Sequence, residues 1–224
     1  MKKYTEIIQG TEEWHKIRYG KIGGTLSKGL FVKSDTLLYD VLSELVENYQ
    51  YEETYSTSAM DRGVELEPFA RKNLSQYIGV ELQQCGWLQC EEIPILGISP
   101  DGISADETIS AEIKCPQAKK HTQTICEDEI PQDNIHQCLH YFTVNPNLQK
   151  HYFCSFRPEN ELKPMFVKEL TRESLINLGT KAKPMIKPVA EWVAIAKQHA
   201  IELQDNTKKE MEKIKKIEIE KLKF

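Results

Sequence analysis

Gly97-Ile98-Ser99-Pro100-Asp101-Gly102, followed after a short interval by Ile109-Ser110-Ala111-Glu112-Ile113-Lys114-Cys115-Pro116, decides how this chain reads. Ser-Pro-Asp-Gly is a turn: proline presets φ, aspartate can bond its own backbone, and glycine accepts positive φ. The alternation from Ile109 to Cys115 predicts a strand with Glu112 and Lys114 on one face and Ile113 on the other. A hairpin between the two parts would carry Asp101 to that face, where two carboxylates and one ammonium converge. Hard cations such as Mg²⁺ take oxygen ligands and fill the rest of their shell with water and phosphate oxygens. Held by two carboxylates, such ions activate a water and stabilise the leaving oxygen in phosphodiester cleavage. A lysine two residues on would orient or deprotonate that water. The competing reading is a solvated hairpin with an ordinary Glu/Lys pair.

Composition sets the bounds. A chain of 224 residues, 40% hydrophobic and 28% charged, is long enough for one well-cored globular domain. No run reaches the length of a membrane span, and Met-Lys-Lys-Tyr-Thr lacks an apolar signal core, so the expected location is cytoplasmic, with no membrane. The six cysteines show no Cys-x-x-Cys spacing, which favours free thiols over zinc or disulfides. Net charge is −5, yet residues 1–34 hold seven Lys/Arg against three Glu, and residues 208–224 hold seven Lys against four Glu. The span 81–130 has ten acidic residues against three Lys and contains the carboxylate turn. An acidic pocket flanked by basic segments suits a metal site that meets phosphate.

Upstream, Gln9-Gly10-Thr11 leads into Glu12-Glu13-Trp14-His15-Lys16-Ile17-Arg18-Tyr19-Gly20, with Thr11 as N-cap, Trp14 and Ile17 toward the core, and Gly20 as the stop. Gly23-Gly24-Thr25-Leu26-Ser27 follows, expected to open another helix whose free N–H groups and hydroxyls suit phosphate. Thr36 to Tyr49 reads as a core helix. Met60 to Ile78 reads as a helix interrupted at Pro68, with Met60, Val64, Phe69, Ala70, Leu74 and Tyr77 as its buried stripe. Val80–Gln89, Ile93–Ile98 and Ile109–Lys114 are expected strands, and Gln117–Asp133 an irregular polar segment whose Lys119, Lys120 and His121 either touch a nucleic-acid backbone or are simply solvated. Asn134–Val144 is a helix with Ile135, Cys138, Leu139 and Phe142 on its stripe and Gln137 off it. His136 and His140 stand at zinc-motif spacing, but the glutamate of His-Glu-x-x-His is missing, so they are not read as ligands. Strands are expected at His151–Arg157 and Met165–Leu170, an N-cap at Thr171, and an amphipathic helix at Val189–Leu203. Residues 204–224, with Met211, Ile214, Ile217, Ile219 and Leu222 among the lysines, read equally as an interaction helix, a DNA-facing tail or a solvated extension.

The turn, the Glu-x-Lys strand and the Lys-Cys-Pro that ends it resemble the core of the PD-(D/E)XK nucleases, and specifically the lambda exonuclease, or YqaJ-like viral recombinase, family. Gln9, Gly10, Trp14, Arg18, Gly20 and Ile22 match the opening motif of that family, with Gly23-Gly24 in place of its usual Thr-Ala. The resemblance covers about residues 8–157. It implies a single domain over 1–224 with an α/β, restriction-endonuclease-like fold: a central mixed β-sheet flanked by helices, then a C-terminal helical region from about 171. It implies Mg²⁺ or Mn²⁺, two ions per site, held by Asp101, Glu112 and the Ile113 carbonyl, with Glu67 of Gly63-x-x-x-Glu67 as an auxiliary residue acting through water. Lys114 would position and activate the attacking water, and Gln137, matching the first glutamine of a Gln-x-Gln motif, would hold water or phosphate. Arg18 and Thr25 would contact the terminal 5′-phosphate. The implied activity is ATP-independent 5′-to-3′ digestion of one strand of linear double-stranded DNA to mononucleotides, leaving a 3′ overhang for recombination. The implied assembly is a homotrimeric ring, and the implied partner a phage single-strand annealing protein. A structure- or sequence-specific endonuclease of the same superfamily is the alternative. A non-catalytic DNA-binding module is a third reading, opposed by the intact Asp101, Glu112 and Lys114.

Overall fold

A computed structural model describes residues 1–32, 34, 36–51 and 58–216, with side chains from residue 61 onward in the helix that opens the last of these spans. Its centre is a four-stranded mixed sheet of β4 (Gly102–Ile103), β5 (Ile109–Lys114), β6 (Lys150–Phe156) and β7 (Met165–Leu170), in that order. β4 runs antiparallel to β5, β5 parallel to β6, and β6 antiparallel to β7. The parallel step needs a crossover, and two helices supply it: α5 (Ala118–Glu127) and α6 (Gln132–Val144).

Alternation along the two inner strands sorts the core. Ala111 and Ile113 of β5, with Tyr152, Cys154 and Phe156 of β6, pack beneath Ala70 and Leu74 of α4 (Ser58–Ile78). Phe153 faces the other way, into the larger cluster with Leu139, Tyr141 and Phe142 of α6. Glu112 and Lys114 therefore point toward α6. A second sheet, β1 (Lys2–Tyr4), β2 (Trp87–Gln89) and β3 (Gly97–Ile98), lies upstream of the turn, all antiparallel. Gly97 is required there by close approach: a Cβ would sit 2.0 Å from the Trp87 ring. The remaining elements are α1 (Glu12–Arg18), α2 (Lys28–Phe31), α3 (Leu37–Val46), the hairpin of β8 (Leu175–Asn177) with β9 (Ile186–Pro188), and α7 (Val189–Lys216), which packs on α2, α3 and α6.

Several expectations are corrected. The stretch 80–89 pairs only over Trp87–Gln89, plus one bridge from Gln83 to Ile103, and 93–98 pairs over Gly97–Ile98 with one bridge from Leu96 to Ile22. The polar segment after Pro116 is helical, because α5 buries polar groups: His121 bonds the Ser155 hydroxyl (2.8 Å) and the Lys163 carbonyl (2.9 Å), and Thr124 is buried beside them. His121 is thereby withdrawn from any DNA contact, while Lys120 pairs with Asp133 at the surface. Thr171 starts no helix; its N–H bonds Ser174 Oγ and the chain enters β8. On α4 only Ala70 and Leu74 of the expected stripe are buried; Val64, Phe69 and Tyr77 are exposed, and the side chain of Met60 lies outside the described residues. The glycine pair leads into a helix of four residues, too short for a strong N-terminal dipole. Of the tail, residues to Lys216 extend α7; Ile217, Ile219 and Leu222 lie outside the described residues. Among the described residues no helix is long and apolar enough to cross a membrane, and all six cysteines are free.

Candidate active site

Asp101 sits in the turn between β3 and β4. The register Gly102↔Ala111, extended by one, places it across from Glu112. Its Oδ2 accepts the Ile113 N–H at 2.7 Å, which fixes the carboxyl at the strand bearing Glu112 and Lys114. Glu112 is 1% exposed. Its Oε1 forms an ion pair with Lys114 Nζ without a hydrogen bond of good geometry, and its Oε2 accepts from the Tyr141 hydroxyl at 2.8 Å. The same hydroxyl lies 3.2 Å from the Ala111 carbonyl. On the opposite flank, Arg71 of α4 donates through Nε to the Asp101 carbonyl and through Nη2 to Glu67 Oε1 (2.6 Å). Gln84 also reaches Glu67 Oε1, at 3.3 Å.

The electrostatics follow from burial. Removal from water, then the neighbouring Glu112, pushes the Asp101 carboxyl well above the usual carboxylate range. Burial works to strip Lys114 of its proton, but Glu112 and Asp101 together outweigh it and hold the ammonium above its ordinary value. Burial and the two carboxylates also raise the Tyr141 phenol, so it stays a donor. Three carboxylates (Asp101, Glu112, Glu67) against two cations (Lys114, Arg71) leave one negative charge uncompensated in a half-buried pocket. A divalent cation fits that deficit, and the donors are the hard oxygens it prefers. Among the described residues no three His, Cys, Asp or Glu side chains gather tightly enough to cage an ion alone. Main-chain oxygen, water and substrate phosphate would complete the shell, as is usual for Mg²⁺.

The remaining residues of interest lie on α6, on α1 and in the glycine segment after it. Gln137 of α6 lies against Gly24, where a Cβ would come within 2.8 Å of Gln137 Cγ. Glycine in place of the alanine expected there makes room for that amide. Arg18 stacks its guanidinium 3.7 Å from the Trp14 ring centre, close to Gly23. Its Nε is buried with no hydrogen bond, and among the described residues it has no ion-pair partner. Burial, partly offset by Glu44, lowers its proton affinity. A half-buried guanidinium that makes no ion pair among the described residues has the chemistry to take an anion. Thr25 is exposed beside Gly24, while Ser27 is spent internally on the Gly24 carbonyl (2.6 Å) and the His136 carbonyl (3.3 Å). His140 is no ligand: its Nε2 donates to the carbonyls of Ile22 (3.1 Å) and Gly97 (3.0 Å), tying α6 to the start of the turn.

Sequence reasoning missed Tyr141, Arg71 and the part played by Gln9 and Trp14. Tyr141 stands four residues after Gln137, on the same helical face, and Arg71 four after Glu67; that spacing was the available signal. Gln9 donates to the Cys85 (2.8 Å) and Pro100 (3.0 Å) carbonyls, and Trp14 to Ser99, contacts between distant segments that carry no local pattern.

The chain is similar in structure to an alkaline exonuclease (LHK-Exo) from Laribacter hongkongensis: TM-score 0.71 at 24% identity, covering 93% of this chain and 100% of that one. The structure of LHK-Exo in complex with dAMP aligns with TM-score 0.69 at 25% identity, over the same shares of both chains. No curated protein matches the sequence. The fold is the mixed α/β architecture of PD-(D/E)XK nucleases. Residues 13–146 match the YqaJ-like viral recombinase domain. That span is more than half of the 224 residues, and the chain belongs to the YqaJ-like viral recombinase family.

Proposed function

We propose that the protein is a single-domain, ATP-independent deoxyribonuclease that digests one strand of linear double-stranded DNA from its 5′ end, releases mononucleotides and leaves a 3′ overhang for recombination. The observation that carries this reading is the convergence of Asp101, Glu112 and Lys114 on one partly buried, net-negative point. Asp101, Glu112 and the Ile113 carbonyl would hold Mg²⁺ or Mn²⁺, two ions per site, with Glu67 acting through water. Bound there, a divalent cation supplies Lewis-acid stabilisation of phosphate charge and a more acidic water. Lys114, kept charged by its two carboxylate neighbours, donates to the attacking water and to the phosphate rather than removing a proton itself. Gln137 holds a water or phosphate oxygen through its amide. The unpaired Arg18 guanidinium, with the Thr25 hydroxyl nearby, takes the terminal 5′-phosphate and so sets polarity. Action in the cytoplasm, as a homotrimeric ring around the duplex and beside a phage single-strand annealing protein, completes the proposal.

The test is digestion of linear duplex with and without a 5′-phosphate, in Mg²⁺ or EDTA, by wild type and Lys114→Ala, with covalently closed circular DNA alongside. Expected are metal-dependent release of nucleotides, faster with the phosphate, lost in the variant, and an intact circle. Cutting in EDTA would overturn the metal chemistry, and cleavage of the circle would favour the endonuclease alternative.

A further inference from the structure

The residues just before Asp101 belong to no strand ladder. β3 ends at Ile98 and β4 begins at Gly102, so Ser99 and Pro100 depend on other partners. Besides a long contact from the Cys85 N–H to the Pro100 carbonyl (3.5 Å) and the bond from Ser99 Oγ to the Gly86 carbonyl (2.7 Å), two anchors come from the N-terminal segment. Gln9 Nε2 bridges the Cys85 and Pro100 carbonyls at 2.8 and 3.0 Å. Trp14 Nε1 donates to Ser99 Oγ at 2.8 Å and lies 3.1 Å from the Gly86 carbonyl, to which Ser99 Oγ itself donates at 2.7 Å. The Arg18 guanidinium stacks on a face of the same indole at 3.7 Å. One rigid aromatic plane thus touches the unpaired arginine on its face and, at its N–H edge, the turn that carries Asp101.

We propose that Trp14 and Gln9 are positioning residues that couple an anion on Arg18 to the placement of Asp101, so that a 5′-phosphate promotes turnover as well as binding. The inference rests on the reading of Arg18 as the phosphate site. An anion that fixes Arg18 fixes the indole against which it lies. The indole N–H in turn holds Ser99, two residues from the carboxyl, while Gln9 clamps the carbonyl directly before it. Linkage makes the effect reciprocal: if phosphate favours the aligned turn, a metal on Asp101 favours phosphate by the same factor. A phosphate that merely adhered to Arg18 would alter KM alone.

Trp14→Phe keeps a ring for Arg18 and removes the N–H. The experiment measures kcat and KM on 5′-phosphorylated and 5′-hydroxyl duplexes. It also measures Mn²⁺ affinity by calorimetry in the presence of each duplex, made with a non-hydrolysable first linkage. In wild type we expect the phosphate to raise kcat and tighten Mn²⁺ binding. In Trp14→Phe the phosphate should still lower KM, while its effects on kcat and on Mn²⁺ affinity fall by about fivefold or more, the lower end of ordinary coupling factors. If Trp14→Phe fails to fold, Gln9→Met, which keeps the shape and removes both donors, is expected to show the same loss. A folded variant with the full wild-type response in kcat and Mn²⁺ affinity would overturn the coupling while leaving Arg18 as the phosphate site. Wild-type indifference to the phosphate in KM, kcat and metal affinity would instead overturn the Arg18 reading and the coupling with it.

Discussion

Asp101→Asn should make the protein more stable and inactive at once. The site holds three carboxylates against two cations, and burial with the adjacent Glu112 makes ionised Asp101 costly to the fold. Asparagine is the same size, can still accept the Ile113 N–H, and brings the cluster to neutrality. Relieving an uncompensated buried charge is worth about 1–4 kcal/mol. For a chain of this length each kcal/mol moves Tm by roughly 2–4 °C, so a rise of about 2–16 °C is expected in EDTA. The sign has a pH signature. An acid whose pKa is raised by folding destabilises the fold above that pKa and ceases to do so when protonated, so the gap between variant and wild type should close as pH falls. Addition of Mg²⁺ should narrow the gap and reverse it where it is smaller than about 2.7 kcal/mol, the stabilisation of wild type at a hundredfold excess over Kd, the variant gaining scarcely at all. Calorimetric melts in EDTA and in Mg²⁺ test all three points. An Asp101→Asn variant less stable than wild type in EDTA would show that Asp101 is held for structure, and the reasoning would fail.

Two further outcomes are expected. Tyr141→Phe deprives Glu112 Oε2 of its 2.8 Å donor; metal affinity should fall by roughly 10–100-fold, as for other residues that brace a metal ligand, and an unchanged Mg²⁺ midpoint for cleavage would contradict this. Burial lowers His140 to about 4 and His151 to about 3. The unfolded chain therefore takes up protons that the fold refuses, and stability should be full above the ordinary histidine value and lost as pH falls below it. At pH 5 the loss is about 2 kcal/mol for each histidine, readable as a shift in urea midpoint between pH 8 and 5. His140→Gln, which keeps a donor for the Ile22 and Gly97 carbonyls, should remove about half of it; full acid lability in that variant would exclude the assignment.

The site was legible where its geometry is local. A Ser-Pro-Asp-Gly turn and a period-two strand are short-range patterns, and β5 spans the expected Ile109–Lys114 with Glu112 and Lys114 on the expected face. The apolar stripe of α6 was legible too, and Gln137 lies off it, half-buried. What failed was long-range or polar. α5 has no apolar stripe because its buried residues are His121, satisfied by partners on β6 and the loop before β7, and Thr124, whose hydroxyl donates to the Lys120 carbonyl one turn back. β3 and β4 are two residues each, so hydrophobic runs overstate them. On α4 the expected stripe mixed two faces, and packing chose Ala70 and Leu74 because β5 and β6 approach on that side. The clamp from Gln9 and Trp14 joins residues more than 70 positions apart, where no spacing rule reaches.

Mn²⁺ binding by calorimetry, on wild type and on Glu112→Gln, addresses the central claim without depending on turnover. Saturable binding to wild type that is lost or strongly weakened in the variant is the expected result. Wild type that binds no Mn²⁺, or a Glu112→Gln variant with an unchanged isotherm, would contradict a metal centre built on the Asp101–Glu112 pair.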